Sequence, residues 1–341
     1  MRLRVVLVTL VVVALVAGAS WWFQSRRTTY ESALATLPSE VLRASYTDWA
    51  GIRSELGDQP LDDFTLAAYD RDFSRTSALE ANAPLLESIY GIDLRAVEWE
   101  VYGQSDEGSV AVLKLGSAPS FDDLTSTLTD LGYPAPSQET KAWAGSVELV
   151  ATIDSSLTPV FQNVVLLEEE SLVLLSDSPE YAEHAAAAAR GDDDALLSSV
   201  SDLADQADQP ISALLWAGDY ACKDLAMSTA DAVDQNRADA LVDQAGGVSP
   251  LTGLLMAAAG DGAVRVGLRF EDDDQATDNL QPRTDLAAGE APGLGGAFAD
   301  RFSILAARTS GRLVLLDLEP AEDGTALLSG ISDGPVLFAT C

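Results

Sequence analysis

Residues 97–115 read VEWEVYGQSDEGSVAVLKL, and the way this stretch folds sets the class of the whole chain. Val97, Trp99 and Val101 alternate with Glu98, Glu100 and Tyr102, which gives a strand one apolar and one wet face. Asp106-Glu107-Gly108 turns the chain, and Ser109 to Leu115 returns as a second strand. Directly downstream, Ser120 caps a helix with Asp123 in the reciprocal position. Its apolar stripe is Phe121, Leu124, Leu128 and Leu131, and Gly132 ends it. An antiparallel hairpin followed by an amphipathic helix places the chain in the α+β class.

Working outward, strands are expected over 146–153, 160–167 and 171–175, the last two joined across Glu168-Glu169-Glu170. A helix is expected from the Ser178-Pro179 cap to Arg190. Upstream, Val41 to Trp49 alternates as a strand, residues 61–75 form an acidic connection without an assignment, and 77–90 carry apolar residues at helical spacing with Pro84 inside. Gly191 and the three aspartates after it break the pattern, and residues 198–210 read as a polar helical bridge, so a domain boundary is placed there. Beyond it, 211–216 reads as a strand and 224–245 as a long helix stopped by Gly246-Gly247. Residues 251–259 and 263–270 form a hairpin, a helix opens at Asp272 and is interrupted at Pro282, and 302–308 with 313–318 form a second hairpin. The order strand, strand, helix, strand, strand thus recurs about 150 residues downstream of its first appearance. The expected architecture is two similar antiparallel-sheet-plus-helix domains, 41–195 and 196–341. Residue identity between the halves is slight, so duplication and chance recurrence of a common motif both fit.

Val5 to Phe23 carries no charged residue. As a helix rising ~1.5 Å per residue it would cover roughly 28 Å, close to the hydrocarbon thickness of a bilayer. Arg2 and Arg4 precede it, and Trp21, Trp22 and Phe23 close it with rings suited to the headgroup boundary. The expectation is a short cytoplasmic tip (1–4), a transmembrane anchor (5–23), a polar stalk (24–40) and an extracytoplasmic remainder. A cleaved signal ending at Ala17-Gly18-Ala19 is the competing reading. Cys222 and Cys341 are the only cysteines, and an even pair suits an oxidising compartment. A disulfide between them would close a loop whose unfolded-state entropy is worth up to roughly 5 kcal/mol.

With 54 acidic and 20 basic residues the chain carries a formal charge of -34. That argues against nucleic acid and anionic lipid surfaces as partners, since both attract positive charge. The expected partners are the membrane, through the amino-terminal helix, and another envelope protein. The single His184 lies among alanines, with no serine, cysteine or carboxylate fixed near it by sequence. No SxxK, phosphate loop or HExxH occurs. The acidic runs 192–194 and 271–274 lack the spacing and turn glycine of a calcium loop, and read as a solvated loop and an acidic helix start. No metal site and no cofactor are expected. Tyr46, Asp48, Trp49 and Arg53 cluster near a strand end and form the candidate binding patch, the alternative being that Trp49 packs in the core. Around Cys222, Asp219, Tyr220, Lys223 and Asp224 suggest a local ion pair, and residues 289–296 read as a mobile glycine-rich loop.

The passages LPSEVLRASYTDWAGIR (37–53), GDYACKDLAM (218–227) with AGGVSPLTGLLMA (245–257), and GPVLFATC (334–341) resemble uncharacterised actinobacterial envelope proteins with one amino-terminal apolar segment. No activity or functional residue is assigned in that family, so the resemblance implies location and nothing catalytic. The expected role is a structural or interaction module of the cell envelope. Two alternatives stand beside it. One is an exported hydrolase working through a carboxylate pair drawn from Glu98, Glu100 and Asp219. The other is a ligand-binding ectodomain with a pocket between its sheets.

Overall fold

A computed structural model describes residues 27–116, 118–138, 140–322 and 326–341. The expected tip and anchor, and the first residues of the expected stalk, lie outside the described residues. Among the described residues no helix is long and apolar enough to cross a membrane.

The chain begins with α1 (Thr29–Leu34), β1 (Arg43–Thr47), α2 (Trp49–Leu56) and α3 (Leu61–Asp70). After short helical turns come β2 (Val97–Gln104), β3 (Ser109–Leu115), α4 (Phe121–Asp130), the brief β4 (Trp143–Ala144), α5 (Val147–Ile153), β5 (Asn163–Leu167), β6 (Leu172–Ser176), α6 (Pro179–Arg190) and α7 (Leu197–Ala204). Then follow β7 (Ser212–Ala217), α8 (Ala232–Ala245), β8 (Gly253–Ala258), β9 (Val264–Arg269), α9 (Asp273–Ala288), β10 (Phe302–Ser310), β11 (Leu313–Pro320) and α10 (Leu327–Ser332). The α+β class expected from the hairpin is the observed one.

The strands make one 11-stranded sheet in the order β10-β11-β9-β8-β7-β1-β2-β3-β6-β5-β4. Read outward from its middle, β1-β2-β3-β6-β5 on one side has the same order as β7-β8-β9-β11-β10 on the other. The recurrence expected from sequence is therefore real at the level of strand order, but the two halves share a single sheet. β1 and β7 pair antiparallel from Arg43↔Trp216 to Thr47↔Ser212. In separate domains each would have been an edge strand with unpaired backbone groups; at the seam each satisfies the other. The break placed near residue 195 is thus a connection crossing the sheet, with no gap between two bodies.

One face, called face A here, is covered by α1, α6 and α7. Its core is continuous across the seam, with Tyr46 and Ala44 of β1 packing in the same cluster as Val101 and Val110 of the first half and Ala213, Leu215 and Leu255 of the second. Gly103 fits that packing closely, because a Cβ would stand 2.9 Å from a Val41 methyl and 3.0 Å from a Leu37 methyl, and those side chains would have to shift. The opposite face, face B, carries two separate cores. Trp49, Phe64, Leu113 and Phe161 belong to one over the first half, and Trp216, Phe270, Leu316 and Phe338 to one over the second.

Several local expectations are corrected. Residues 146–153 are not a strand: Ser146 accepts a hydrogen bond from the Leu149 amide as an N-cap. Val150 is buried while Val147 is exposed, the one-sided burial of a helix, which β-branched composition had masked. The unassigned 61–75 stretch contains α3, with Asp62 and Asp63 at its positive end and Phe64 and Ala68 buried. The helix expected from 224 begins only at Ala232. α9 runs on through Pro282, since burial of Leu286 and Ala287 beyond it outweighs a local cost of about 3 kcal/mol. The expected stalk belongs to the body from Thr28 onward. A capping box links Thr28 and Glu31, and Tyr30, Ala33, Leu34 and Leu37 are buried on face A.

The disulfide expected between Cys222 and Cys341 is present, with Cα atoms 5.5 Å apart and 119 residues between them. The same carboxyl-terminal segment is held by Arg283, fully buried on α9, which donates to the carbonyls of Phe338, Thr340 and Ser249. Burial without a carboxylate partner pushes the Arg283 pKa down to about 9.

Candidate functional site: a polar cleft over the seam

β1 reads Arg43-Ala44-Ser45-Tyr46-Thr47, so alternation sends Ala44 and Tyr46 to face A and Arg43, Ser45 and Thr47 to face B. The two cores of face B stop on either side of this strand. Between them lies a cleft of ≈390 Å³ whose floor is Arg43, Ser45, Tyr102 and Gln104. Its first-half wall is Tyr69 with residues 75–78, and its second-half wall is Ser329, Ser332 and Asp333. The cleft shares Ala78, Tyr102 and Gln104 with a wider groove of ≈780 Å³ that runs past residues 105–109 and Thr158 to the start of α6.

Two guanidinium groups line the cleft. Arg75 lies over the Tyr69 ring at 4.2 Å and donates to the Tyr69 carbonyl, with Asp72 3.9 Å away. Arg43 lies 5.5 Å from the Trp216 ring and 3.8 Å from Asp224, whose carboxylate accepts from Trp216 Nε1 at 2.6 Å. Both carboxylate contacts are longer than a hydrogen bond, so both guanidiniums keep donor capacity. Arg43 Nε and Thr76 Oγ1 are buried with no hydrogen-bond partner among the described residues. The same holds for Asp72 Oδ1 and Ser74 Oγ in the wall behind, and for Thr47 Oγ1 and Ser212 Oγ, paired across the seam beneath. Buried polar atoms are normally paired; these six lie on or beside β1, while the Tyr30 and Tyr181 hydroxyls and Arg283 Nε are orphans elsewhere.

Asp72 ties the walls together. It accepts from the Ser329 amide at 3.0 Å, bridging the two halves, and its backbone sits at φ 61, an uncommon conformation for a residue other than glycine. Burial raises its pKa, while Ser329 and Arg75 draw it down. Behind the first-half wall, Glu100 is 1% exposed. Trp49 Nε1 and Ser77 Oγ donate to its Oε2 at 3.2 and 2.7 Å, and the Ala78 amide donates to Oε1 at 2.7 Å. Burial pushes the Glu100 pKa up against these donors. It holds the 77–79 segment in place rather than facing the cleft.

The residues singled out from sequence do not assemble as a surface patch. Tyr46 is buried on face A against Tyr30, with ring centroids 5.1 Å apart, whereas Trp49 is buried on face B. Asp48 caps α2 by accepting from the Gly51 amide; burial raises its pKa, with Glu98 adding to the rise. Arg53 donates to the Val97 carbonyl at 2.7 Å and pairs with Glu98 at 3.6 Å. The carboxylates weighed for hydrolysis are apart too: Glu98 lies on the Arg53 pair, Glu100 is enclosed, and Asp219 forms an exposed pair with Lys223 at 3.2 Å. The 289–296 loop closes through a Glu290↔Ala297 bridge and is held by Arg301 donating to the carbonyls of Leu294, Gly295 and Ala297. The cleft itself escaped sequence reading because Arg43, Arg75 and Ser329 lie far apart in the chain. The polar alternate positions of β1 were the available signal.

No protein-family model and no curated protein sequence matches this chain. Among solved structures it is similar to crystal form I of TP0453, at 9% identity and a TM-score of 0.42, over 90% of this chain and 98% of that one. Crystal form III of TP0453 gives 10% identity and a TM-score of 0.39, over 87% and 97% of the two chains.

Proposed function

We propose that the protein is an extracytoplasmic binding module, tethered through its amino-terminal apolar stretch, that holds a small anionic ligand in the cleft over β1. The observation that carries this reading is the convergence of two guanidiniums with spare donors on a concave polar site walled by both halves of the sheet. Arginine presents several donors in a planar fork suited to carboxylate or phosphate, and the serine and threonine hydroxyls around it can complete such a cradle. Asp333 lines the cleft as well, and Asp224 and Asp72 stand 3.8 and 3.9 Å from the two guanidiniums, so an anion would be held by the directed donors of the arginine forks and not by net positive charge. The disulfide and the acidic surface support placement outside the cytoplasm.

Calorimetric titration of the full chain with inorganic phosphate and with short dicarboxylates tests the reading. Saturable binding is expected for one of these classes, with a loss of tenfold or more in Arg75→Ala and in Arg43→Ala. Equal affinity in both variants and the parent, or no binding of either class, would remove the cleft as the site.

A further inference from the structure

Three side chains meet at one end of the central strands, one of them, Glu107, also lining the wider groove beside the cleft. Glu40 comes from the connection between α1 and β1, Glu107 from the β2–β3 turn and His184 from α6, and each brings one ligand atom within 4.8 Å of the others. His184 Nδ1 and Glu40 Oε1 are 3.7 Å apart. Ligand atoms ~2.1 Å from a tetrahedral zinc stand about 3.4 Å from one another, so rotation of the carboxylate side chains is enough to close the set. The backbones beneath are already fixed. Asp177, just before α6, accepts from the Ser109 amide at 2.8 Å and from its hydroxyl at 2.7 Å, fastening the turn that carries Glu107. On the other side of Glu40, the Leu42 amide donates to the Gln104 carbonyl and the Ser39 amide to the Asp194 carbonyl.

Tyr181, one turn before His184 on α6, is 1% exposed and packs in the face A core with Ala182 and Ala185, which fixes the helix that carries His184.

We propose that Glu40, Glu107 and His184 bind one divalent transition-metal ion of the zinc type, with a coordination position left open to water. One imidazole with two carboxylates suits zinc better than calcium, which takes six to eight oxygen ligands. Such an ion would staple the segment leading into β1, the central hairpin and α6 to one another.

Titrating the chelator-stripped full chain with Zn²⁺ is the test. One site per chain is expected, weakened at least tenfold in His184→Ala and in Glu107→Gln. Zn²⁺ should raise the melting temperature of the parent and of neither variant. Because His184 and Glu107 are exposed, both variants should melt with the parent in chelator, which separates loss of ligand from loss of fold. Undiminished zinc affinity in His184→Ala, or no binding to the parent, would overturn the site. Displacement of zinc by an equal concentration of Ca²⁺ would overturn the choice of metal.

Discussion

The two faces of the sheet treat the seam between β1 and β7 in opposite ways. On face A one apolar layer runs across it, so Tyr46, Leu215 and Leu255 belong to the same core. On face B the cores end on either side, and the strip between them holds arginines, hydroxyls and a buried carboxylate. Burial of apolar area is non-directional and stabilises wherever surfaces meet, so face A joins the halves whatever the details. Polar groups at the same depth stabilise only when each finds a partner. Face B has left several without one along the strip beside β1, whereas on face A the orphans among the described residues are the hydroxyls of Tyr30 and Tyr181.

The contrast can be broken most severely from face A. Leu215→Ala should cost about 3 kcal/mol through a cavity in the shared layer. If that layer joins the halves, tryptophan fluorescence and far-UV circular dichroism should still report one coincident unfolding transition in guanidinium. Two separated transitions would show that the halves unfold independently and that the joint is weak.

Glu100 on face B gives a smaller effect with a pH signature. Glu100→Ala leaves the Trp49, Ser77 and Ala78 donors unmatched and should cost about 2 kcal/mol. Burial holds the folded Glu100 carboxyl above its ordinary value, so the folded state keeps its proton to higher pH than the unfolded one. Its contribution is full below the unfolded pKa and is lost as pH rises through the folded pKa. Stability of the parent relative to Glu100→Gln should therefore fall as pH rises across that window. A difference between the two that stays flat with pH would mean that Glu100 ionises as readily in the fold as outside it.

The smallest effect separates an unmatched strip from a satisfied one. Thr47→Val replaces a buried hydroxyl that has no partner among the described residues with a methyl of similar shape, and should be neutral or stabilising by up to about 1 kcal/mol. Destabilisation measured by denaturant melts would show the hydroxyl to be engaged and the strip to be balanced.

What sequence could show was local. Alternation in 97–102 placed β2 but not its expected wet face, since Glu100 is 1% exposed and an irregularity after Val97 sends Val97 to the opposite core from Val101; caps at Ser120 and Ser178 placed α4 and α6, because these signals act within a few residues. Residues 146–153 failed because β-branched residues can serve a short helix as well as a strand once a serine caps it. The seam and the cleft were out of reach for a different reason. Pairing of β1 with β7 satisfies two edges that look, in sequence, like the rims of two domains, and nothing local says which edge meets which. Tyr46 and Trp49 looked like a patch because they are close in the chain, yet the strand end between them sends one ring to each side of the sheet. Thr76 and Ser77 carried no periodic signal, and they matter only because α3 and α10 close over them.

α1 is seated on face A through Tyr30, Ala33 and Leu34. The α1 helix thus lies behind the sheet, with the arginine-lined hollow in front. A bulky label attached at the start of that helix would therefore leave the arginine-lined hollow open.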